Sequence, residues 1–238
     1  MNTAFCLKVA GEPAHGELIQ FPGLNHSNNG YKGMEEDVFP IKKPEQLKAM
    51  CSWLKENVAP CYTVAFVLGI NLGLRANELL ALRWSDVRNA DGTIKGSRDT
   101  EDTTDCIRVY QSKTGKVRGL YLNKPCVEVL EWFAGVQEVN SDLIFAGRQT
   151  KKTGNPISVG MLRKQLKRAA EACGIEQNIG THTLRKTFGY FHYKANPCDI
   201  QLLQQMFGHS SESITLRYIG ITEENRKAAY HAVELDCF

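Results

Sequence analysis

The chain has 238 residues, of which 42% are hydrophobic and 23% charged, proportions that are ordinary for a soluble globular protein. Its length allows one large domain or two small ones, and no apolar run approaches the roughly 20 residues that a membrane helix needs. The formal net charge of +3 is compatible with a nucleic-acid partner but does not require one. These features argue against a membrane protein, and we expect a cytoplasmic one.

The eight cysteines include no C-x-x-C pair and mostly have apolar neighbours. Such cysteines are typical of small buried side chains in a reducing compartment. We therefore expect neither a disulfide framework nor a zinc site.

The N-terminal part of the chain differs from the rest in composition. Residues 11–33 are rich in Gly, Asn, His and Ser and have little hydrophobic patterning, so residues 1–39 are predicted to be a flexible arm. Residues 40–238 are predicted to be one folded domain. Pro44 suits the first position of a helix, and apolar residues then recur on one face up to Pro60, at Leu47, Cys51, Leu54 and Val58.

The middle of the chain predicts two helices and a hairpin. Residues 62–72 are apolar on all sides, which predicts a buried helix, and Gly73 separates it from a short helix with Glu78. Residues 106–111 and 117–122 resemble β-strands joined by a charged turn, which predicts an antiparallel hairpin.

The second half predicts mostly helices. The predicted elements are a helix at 125–139, a short strand at 143–145, a basic helix at 158–173, helices at 183–194 and 200–207, a short helix with Tyr218, and a tail helix at about 222–238. The fold class is therefore predicted to be α+β, mainly α-helical, with a small antiparallel sheet.

Two places in the first half carry charged groups suited to phosphate. Arg75 follows the glycine-broken helix, and Glu78 lies one turn later, where it can orient a guanidinium for a two-pronged phosphate contact. Lys113 lies in the hairpin turn beside Lys116 and Arg118, and hairpin tips protrude far enough to reach a ligand. Taken singly, the first pair more often marks a surface ion pair, and the second a solvated turn.

Two further places lie in the second half. His182 and Arg185 are three residues apart on one predicted helix; the fixed cation disfavours a metal but suits a phosphoryl oxyanion. His209 follows a glycine, and Tyr218 comes nine residues after it. Each pair alone also has an ordinary structural explanation, since a tyrosine on an amphipathic helix is usually a core residue.

Taken together and in this order, the groups resemble the catalytic domain of the tyrosine recombinase, or phage integrase, family. The family pattern contains a Gly-Leu-Arg-x-x-Glu-Leu box, a hairpin lysine, a His-x-Leu-Arg box, a Gly-His pair and a tyrosine nine residues beyond that histidine. The matching residues of this chain are Arg75, Lys113, His182, Arg185, His209 and Tyr218, with Glu78 as the acidic companion. The resemblance covers residues 40–230 approximately, and it implies the catalytic-domain fold of that family.

The resemblance also implies a function and a role for each residue. The enzyme would cut and rejoin double-stranded DNA through a 3′-phosphotyrosine on Tyr218, without metal or nucleotide, and it should stay active in a chelator. Arg75 and Arg185 would hold the phosphate oxygens and His182 would exchange a proton with the tyrosine. Lys113 would be the general acid, with Lys116 as the fallback, and His209 would hydrogen-bond the phosphate.

Further contacts with DNA are expected to be electrostatic and weakened by salt. The candidate residues are Lys116, Arg118, Lys151, Lys152, Arg163, Lys164, Lys167 and Arg168, although the last four also fit a solvated helix face. The resemblance further implies a homo-tetramer on DNA that exchanges tail helices, a monomer in solution, nucleoid association and an accessory DNA-bending protein. The tail equally fits a helix packed on its own domain.

The chain departs from the family pattern at several positions. The departures are Lys186 where His or Arg is frequent, Gly189 where Ala is common, Asn196 where Gly is common, and Ile219-Gly220 after the tyrosine. Relatives usually carry a core-binding domain of about a hundred residues before the catalytic domain, and about forty residues are too few for one. Three alternatives stay open: a catalytically silent DNA-binding regulator, a type IB topoisomerase, and a helical interaction module.

Overall fold

A computed structural model of the chain describes residues 38–96, 106–110, 117–137, 141–147 and 154–221. Several predictions lie outside these residues: the arm up to residue 37, the hairpin turn with Lys113 and Lys116, the loop with Lys151 and Lys152, and the tail helix from residue 222. The last two residues of the predicted arm are described, and they pack on the domain. Val38 is buried and the Phe39 N–H donates to the Asn178 carbonyl at 3.1 Å.

The described residues form nine α-helices and one two-stranded antiparallel sheet. The helices are α1 Pro44–Asn57, α2 Pro60–Leu72, α3 Ala76–Leu80, α4 Trp84–Val87, α5 Lys124–Val136, α6 Val159–Ala172, α7 Thr181–Ala195, α8 Ile200–Phe207 and α9 Glu212–Tyr218. The strands are β1 Ile107–Tyr110 and β2 Val117–Leu120. The predicted class, mainly helical with a small antiparallel sheet, is confirmed. None of the described helices is long and apolar enough to cross a membrane.

The strand predicted at 143–145 is wrong. Leu143 forms a single bridge with Arg83, and the Ile144 N–H donates to the Leu82 carbonyl at 3.1 Å. Leu143, Ile144 and Phe145 are all buried. Their apolar pattern therefore reflects burial beneath neighbouring elements and not membership of a sheet.

Helix α2 is the centre of the core and packs against α1, α3, α5, α6 and α7. This surrounding explains why it is apolar on all sides, as expected of a buried helix. Gly69 allows the close approach of α7, because a Cβ atom there would lie 2.5 Å from Leu184 Cδ1. The contact between α2 and α7 brings the first arginine box next to the second.

Candidate functional site

Arg75 is held at the start of α3 by Glu78. Gly73 ends α2 in the left-handed conformation, with φ of 60°, and the chain then turns so that Arg75 caps α3. The Glu78 carboxylate accepts the Arg75 backbone N–H at one oxygen and Arg75 Nη1 at the other, both at 3.0 Å. The Glu78 side chain is 1% exposed and that of Arg75 is 26% exposed. A buried carboxylate thus orients a partly exposed guanidinium.

Arg185 lies on α7 and is almost completely buried. Its Nη1 donates to the Gly73 carbonyl at 2.7 Å and its Nη2 to the Phe207 carbonyl at 3.0 Å. These carbonyls belong to the C-terminal ends of α2 and α8, where backbone carbonyls lack partners within the helix and attract cations. Burial lowers the pKa of Arg185 to about 10, and Arg75 also lowers it. The guanidinium therefore stays charged at neutral pH.

Tyr218 ends α9 and lies between two histidines. Its hydroxyl oxygen is 3.5 Å from His182 Nδ1, at the outer limit of a hydrogen bond. Its ring packs edge-on against the His209 ring, with centroids 5.0 Å apart. Burial raises the pKa of the Tyr218 hydroxyl, whereas Arg185 and Arg75 lower it, and the net shift is upward. The phenol is therefore protonated at neutral pH and needs a base before it can attack.

His209 follows Gly208, which ends α8 with φ of 66°. Its Nδ1 lies 3.1 Å from the Thr215 hydroxyl oxygen, and Thr215 is fully buried. Burial, together with the nearby Arg185 and Arg75, lowers the pKa of His209 to about 4. His209 is therefore neutral. The Thr215 hydroxyl donates to the Ser211 carbonyl at 3.2 Å, and in that arrangement its oxygen accepts from Nδ1–H, which leaves Nε2 as an acceptor. Nε2 can donate only after the hydroxyl has turned its proton to Nδ1.

Arg118 interacts electrostatically with Glu78 and Arg75 and so belongs to the same cluster of charged groups, although the sequence predicts only a general DNA contact for it. Its Nη1 donates to the Met206 carbonyl at 2.9 Å. Burial lowers the pKa of Arg118, as does Arg75, while Glu78 raises it. The alternation of β2 carries a signal for this position, because Arg118 shares a face with the buried Leu120.

Two departures from the family pattern lie next to the tyrosine. Lys186 Nζ donates to the Val38 carbonyl at 2.7 Å and lies 5.3 Å from the centre of the Tyr218 ring. At Gly189, a Cβ atom would approach Ile219 Cγ2 to 2.5 Å and Phe207 ring carbons to 2.8 Å. Glycine there lets α7 pack closely against the segments that carry the tyrosine and the Gly-His pair.

The predicted site residues divide into three groups. The described structure brings together Arg75, Glu78, Arg118, His182, Arg185, His209 and Tyr218. Lys113, Lys116, Lys151 and Lys152 lie outside the described residues. The remaining cations, Arg163, Lys164, Lys167 and Arg168, lie on α6.

The α6 cations are only partly available to a ligand. Lys164 and Arg168 are exposed, whereas Arg163 and Lys167 are half-buried. Arg168 Nη1 donates to Gln165 Oε1 at 2.9 Å, and its guanidinium carbon lies 5.6 Å from the centre of the Trp53 ring. Part of this helix face is therefore used in packing.

The charges of the cluster suit an anion. Arg75, Arg118 and Arg185 are three guanidinium groups, and Glu78 is the one carboxylate among the described groups that interact with them. No cluster of three metal-ligating side chains occurs within the described ranges. Guanidinium groups hold phosphate oxygens in two-pronged contacts, so the site can bind a phosphate beside the tyrosine hydroxyl.

Comparisons with known proteins agree with this chemistry. A model of the phage integrase family matches residues 42–225. The probable integrase/recombinase YoeC of Bacillus subtilis (strain 168) is 38% identical over 194 residues, which are 81% of this chain and 95% of YoeC. The tyrosine recombinase XerC of Caldanaerobacter subterraneus subsp. tengcongensis is 25% identical, and the match spans 68% of this chain but only 42% of XerC.

Solved structures share the fold. The XerH site-specific recombinase, in a post-cleavage complex with its palindromic difH substrate, superposes with a TM-score of 0.61 at 21% identity. The match covers 85% of this chain and 55% of the XerH chain.

Proposed function

Because the chain belongs to the phage integrase family, we propose that it is a site-specific recombinase that cleaves and rejoins DNA through a covalent bond to Tyr218. The observation that carries this proposal is the Tyr218 hydroxyl, 3.5 Å from His182 and within electrostatic reach of Arg75 and Arg185. A nucleophile, a proton acceptor and fixed positive charge therefore come together in one place, as phosphoryl transfer requires.

Cleavage exchanges one phosphodiester for another. The Tyr218 oxygen attacks the phosphorus while its proton passes to His182, and the bond between phosphorus and the 5′ oxygen breaks. The products are a 3′-phosphotyrosine and a free 5′ hydroxyl, whose proton comes from Lys113, with Lys116 as the fallback donor. Attack by a 5′ hydroxyl of another strand reverses the step and releases the tyrosine.

Arginines neutralise the phosphate during this exchange. Arg75 and Arg185 donate to the non-bridging oxygens, where negative charge grows in the pentacovalent transition state. The two carbonyls that hold Arg185 and the carboxylate that holds Arg75 fix both guanidiniums before DNA binds. His209 hydrogen-bonds the same phosphate from Nε2, after the Thr215 hydroxyl has turned from the Ser211 carbonyl to Nδ1 so that Nε2 carries the proton. We expect no metal requirement, because fixed guanidiniums supply the charge that metal ions supply elsewhere.

Double-stranded DNA is the proposed substrate, and the complex of the site-specific recombinase XerH with its palindromic difH substrate supports this choice. We further propose that four copies assemble on DNA and exchange tail helices at 222–238, and that the free protein is a monomer. An accessory DNA-bending protein and action in the cytoplasm at the nucleoid complete the proposal. The cations of α6 and the loop lysines at 151 and 152 would contact the backbone and set the salt dependence.

A trapping experiment tests the proposal. The protein is incubated in EDTA with a pool of labelled duplexes that have a randomised centre and a nick, so that the cleaved fragment diffuses away and the adduct persists. We expect a covalent protein–DNA band on a denaturing gel, whose DNA identifies the site by sequencing.

Tyrosine variants locate the nucleophile. Tyr218→Phe should abolish the band, whereas Tyr121→Phe should keep it, because Tyr121 is 65% exposed and lies outside the cluster. An adduct that persists in Tyr218→Phe would refute the assignment. DNA binding without any adduct would instead favour a silent regulator, and relaxation of supercoiled plasmid irrespective of sequence would favour a topoisomerase.

A further inference from the structure

The β-hairpin has an unusual distribution of polar and apolar side chains. Arg118 is paired with Val109, and directly paired residues of antiparallel strands lie on the same face of a sheet. Val109 is buried, and so is Leu120, two residues along β2. The next residue in the opposite direction, Val117, faces away and is 64% exposed. An arginine thus occupies the inner face while a valine faces outward, the reverse of what core packing favours.

The two terminal nitrogens of the Arg118 guanidinium differ in their hydrogen bonding within the described residues. Nη1 donates to the Met206 carbonyl, next to the Phe207 carbonyl that accepts from Arg185. Nη2 is buried and has no hydrogen-bond partner among the described residues. A buried donor without a partner is costly, and the cost rises for a cation placed near Arg75 and Arg185.

An anion would remove both costs at once. The end of α8 holds Arg118 and Arg185 through adjacent carbonyls, so the two guanidiniums are fixed relative to each other. Arg75 interacts electrostatically with both of them. A phosphate bound between these groups would accept the hydrogen bond from Nη2 and neutralise the excess positive charge.

We propose that Arg118 is a catalytic residue that binds the phosphate undergoing cleavage, donating from Nη2 to a non-bridging oxygen as a third guanidinium beside Arg75 and Arg185. The inference rests on the proposed recombinase function, and it assigns Arg118 to the reacting phosphate instead of to flanking DNA. The guanidinium is already desolvated and held by Met206, so it can stabilise the growing charge with little reorganisation.

The test compares Arg118→Met with Arg108→Met on two forms of the site that the trapping experiment identifies. Arg108 lies on β1 of the same hairpin but is exposed, so its removal controls for the general loss of a cation. One substrate carries the natural phosphate at the cleavage position. The other carries a methylphosphonate there, in which a methyl group replaces one charged oxygen, and each stereoisomer is assayed separately.

On the natural phosphate, Arg118→Met should slow adduct formation by roughly 100-fold or more, the usual effect of losing one oxyanion donor. On the methylphosphonate isomer that lacks the contacted oxygen, Arg118→Met and the unchanged protein should react within a few-fold of each other. Arg108→Met should match the unchanged protein on both substrates. Arg118→Lys should be slow on the natural phosphate, because one ammonium cannot replace both guanidinium nitrogens.

Two results would overturn the inference. One is an equal loss for Arg118→Met on the natural phosphate and on both methylphosphonate isomers, accompanied by weaker resistance to urea, which indicates a purely structural role. The other is unimpaired cleavage by Arg118→Met. We expect the midpoint of urea unfolding of Arg118→Met to be unchanged or shifted to a higher urea concentration, because the substitution removes a desolvated cation. If the unchanged protein forms no adduct, the proposed function itself fails, which is a different outcome.

Discussion

Gly189 connects the packing of the domain with the geometry of the site, and Gly189→Ala is a sharp test of that connection. Alanine is common at this position in the family that the sequence resembles. In this chain, however, the new Cβ would lie 2.5 Å from Ile219 Cγ2 and 2.8 Å from two carbons of the Phe207 ring. Both neighbours are fully buried, so neither can move without displacing the backbone of its own segment.

The expected cost follows from these contacts. Overpacking of a close-packed core costs about 1–3 kcal/mol, and two close contacts with buried neighbours place this substitution near about 3 kcal/mol. Replacing glycine within a helix returns up to about 1 kcal/mol. The free energy of unfolding should therefore fall by about 2 kcal/mol, which lowers the Tm by roughly 4–8 °C for a domain of this size.

Activity should fall by more than stability alone explains. Ile219 directly follows Tyr218, and the Phe207 carbonyl holds Arg185, so relief of the overlap moves the nucleophile relative to the arginine. A displacement of about 1 Å in an active site costs on the order of 100-fold in rate.

Urea unfolding and adduct formation at a temperature where both proteins are folded measure these two effects. Gly135→Ala in α5 is the matched control, because a Cβ atom added at that position would have no neighbouring side chain within 4 Å, and the substitution should be neutral or stabilising. If Gly189→Ala unfolded like Gly135→Ala and cleaved DNA at the normal rate, the close packing inferred between α7 and both Phe207 and Ile219 would be wrong.

Two further predictions concern His209. Thr215→Val keeps the side-chain shape but removes the hydroxyl that lies beside Nδ1 and donates to the Ser211 carbonyl. His209 then loses the hydrogen-bond partner that holds its ring, so adduct formation should fall about tenfold or more. Thr93→Val, at an exposed position, is the control. The pKa of His209 falls from 6.5 to about 4 on folding, so the unfolded chain binds more protons between these values. The stability associated with neutral His209 is then fully present above pH 6.5 and is lost as pH falls towards 4. Urea unfolding should give a lower free energy of unfolding at pH 5 than at pH 7. His209→Asn should reduce this pH dependence. The part that remains is attributed to His192, whose pKa is also lowered by burial. A slope unchanged in His209→Asn would contradict the assignment.

Local signals predicted eight of the nine described α-helices and missed the four-residue α4. Pro44 begins α1, Gly73 ends α2 and Gly208 ends α8, because proline and glycine act on the backbone of their own turn. The strand predicted at 143–145 was wrong because local signals do not determine strand pairing. Three consecutive apolar residues indicate burial, but hydrogen bonding to a partner strand depends on distant residues.

The sequence by itself determined which groups are available to the chemistry, because two arginines, two histidines and a tyrosine occur in a fixed order at characteristic spacings. Tertiary structure alone decided how those groups are held. Arg185 is fixed by carbonyls 112 and 22 residues away, and Arg118 by a carbonyl at the end of α8, 88 residues away. These contacts depend on the packing of α7, α8 and the hairpin around α2, and the spacing of residues along one chain carries no information on distances between elements that are remote in sequence.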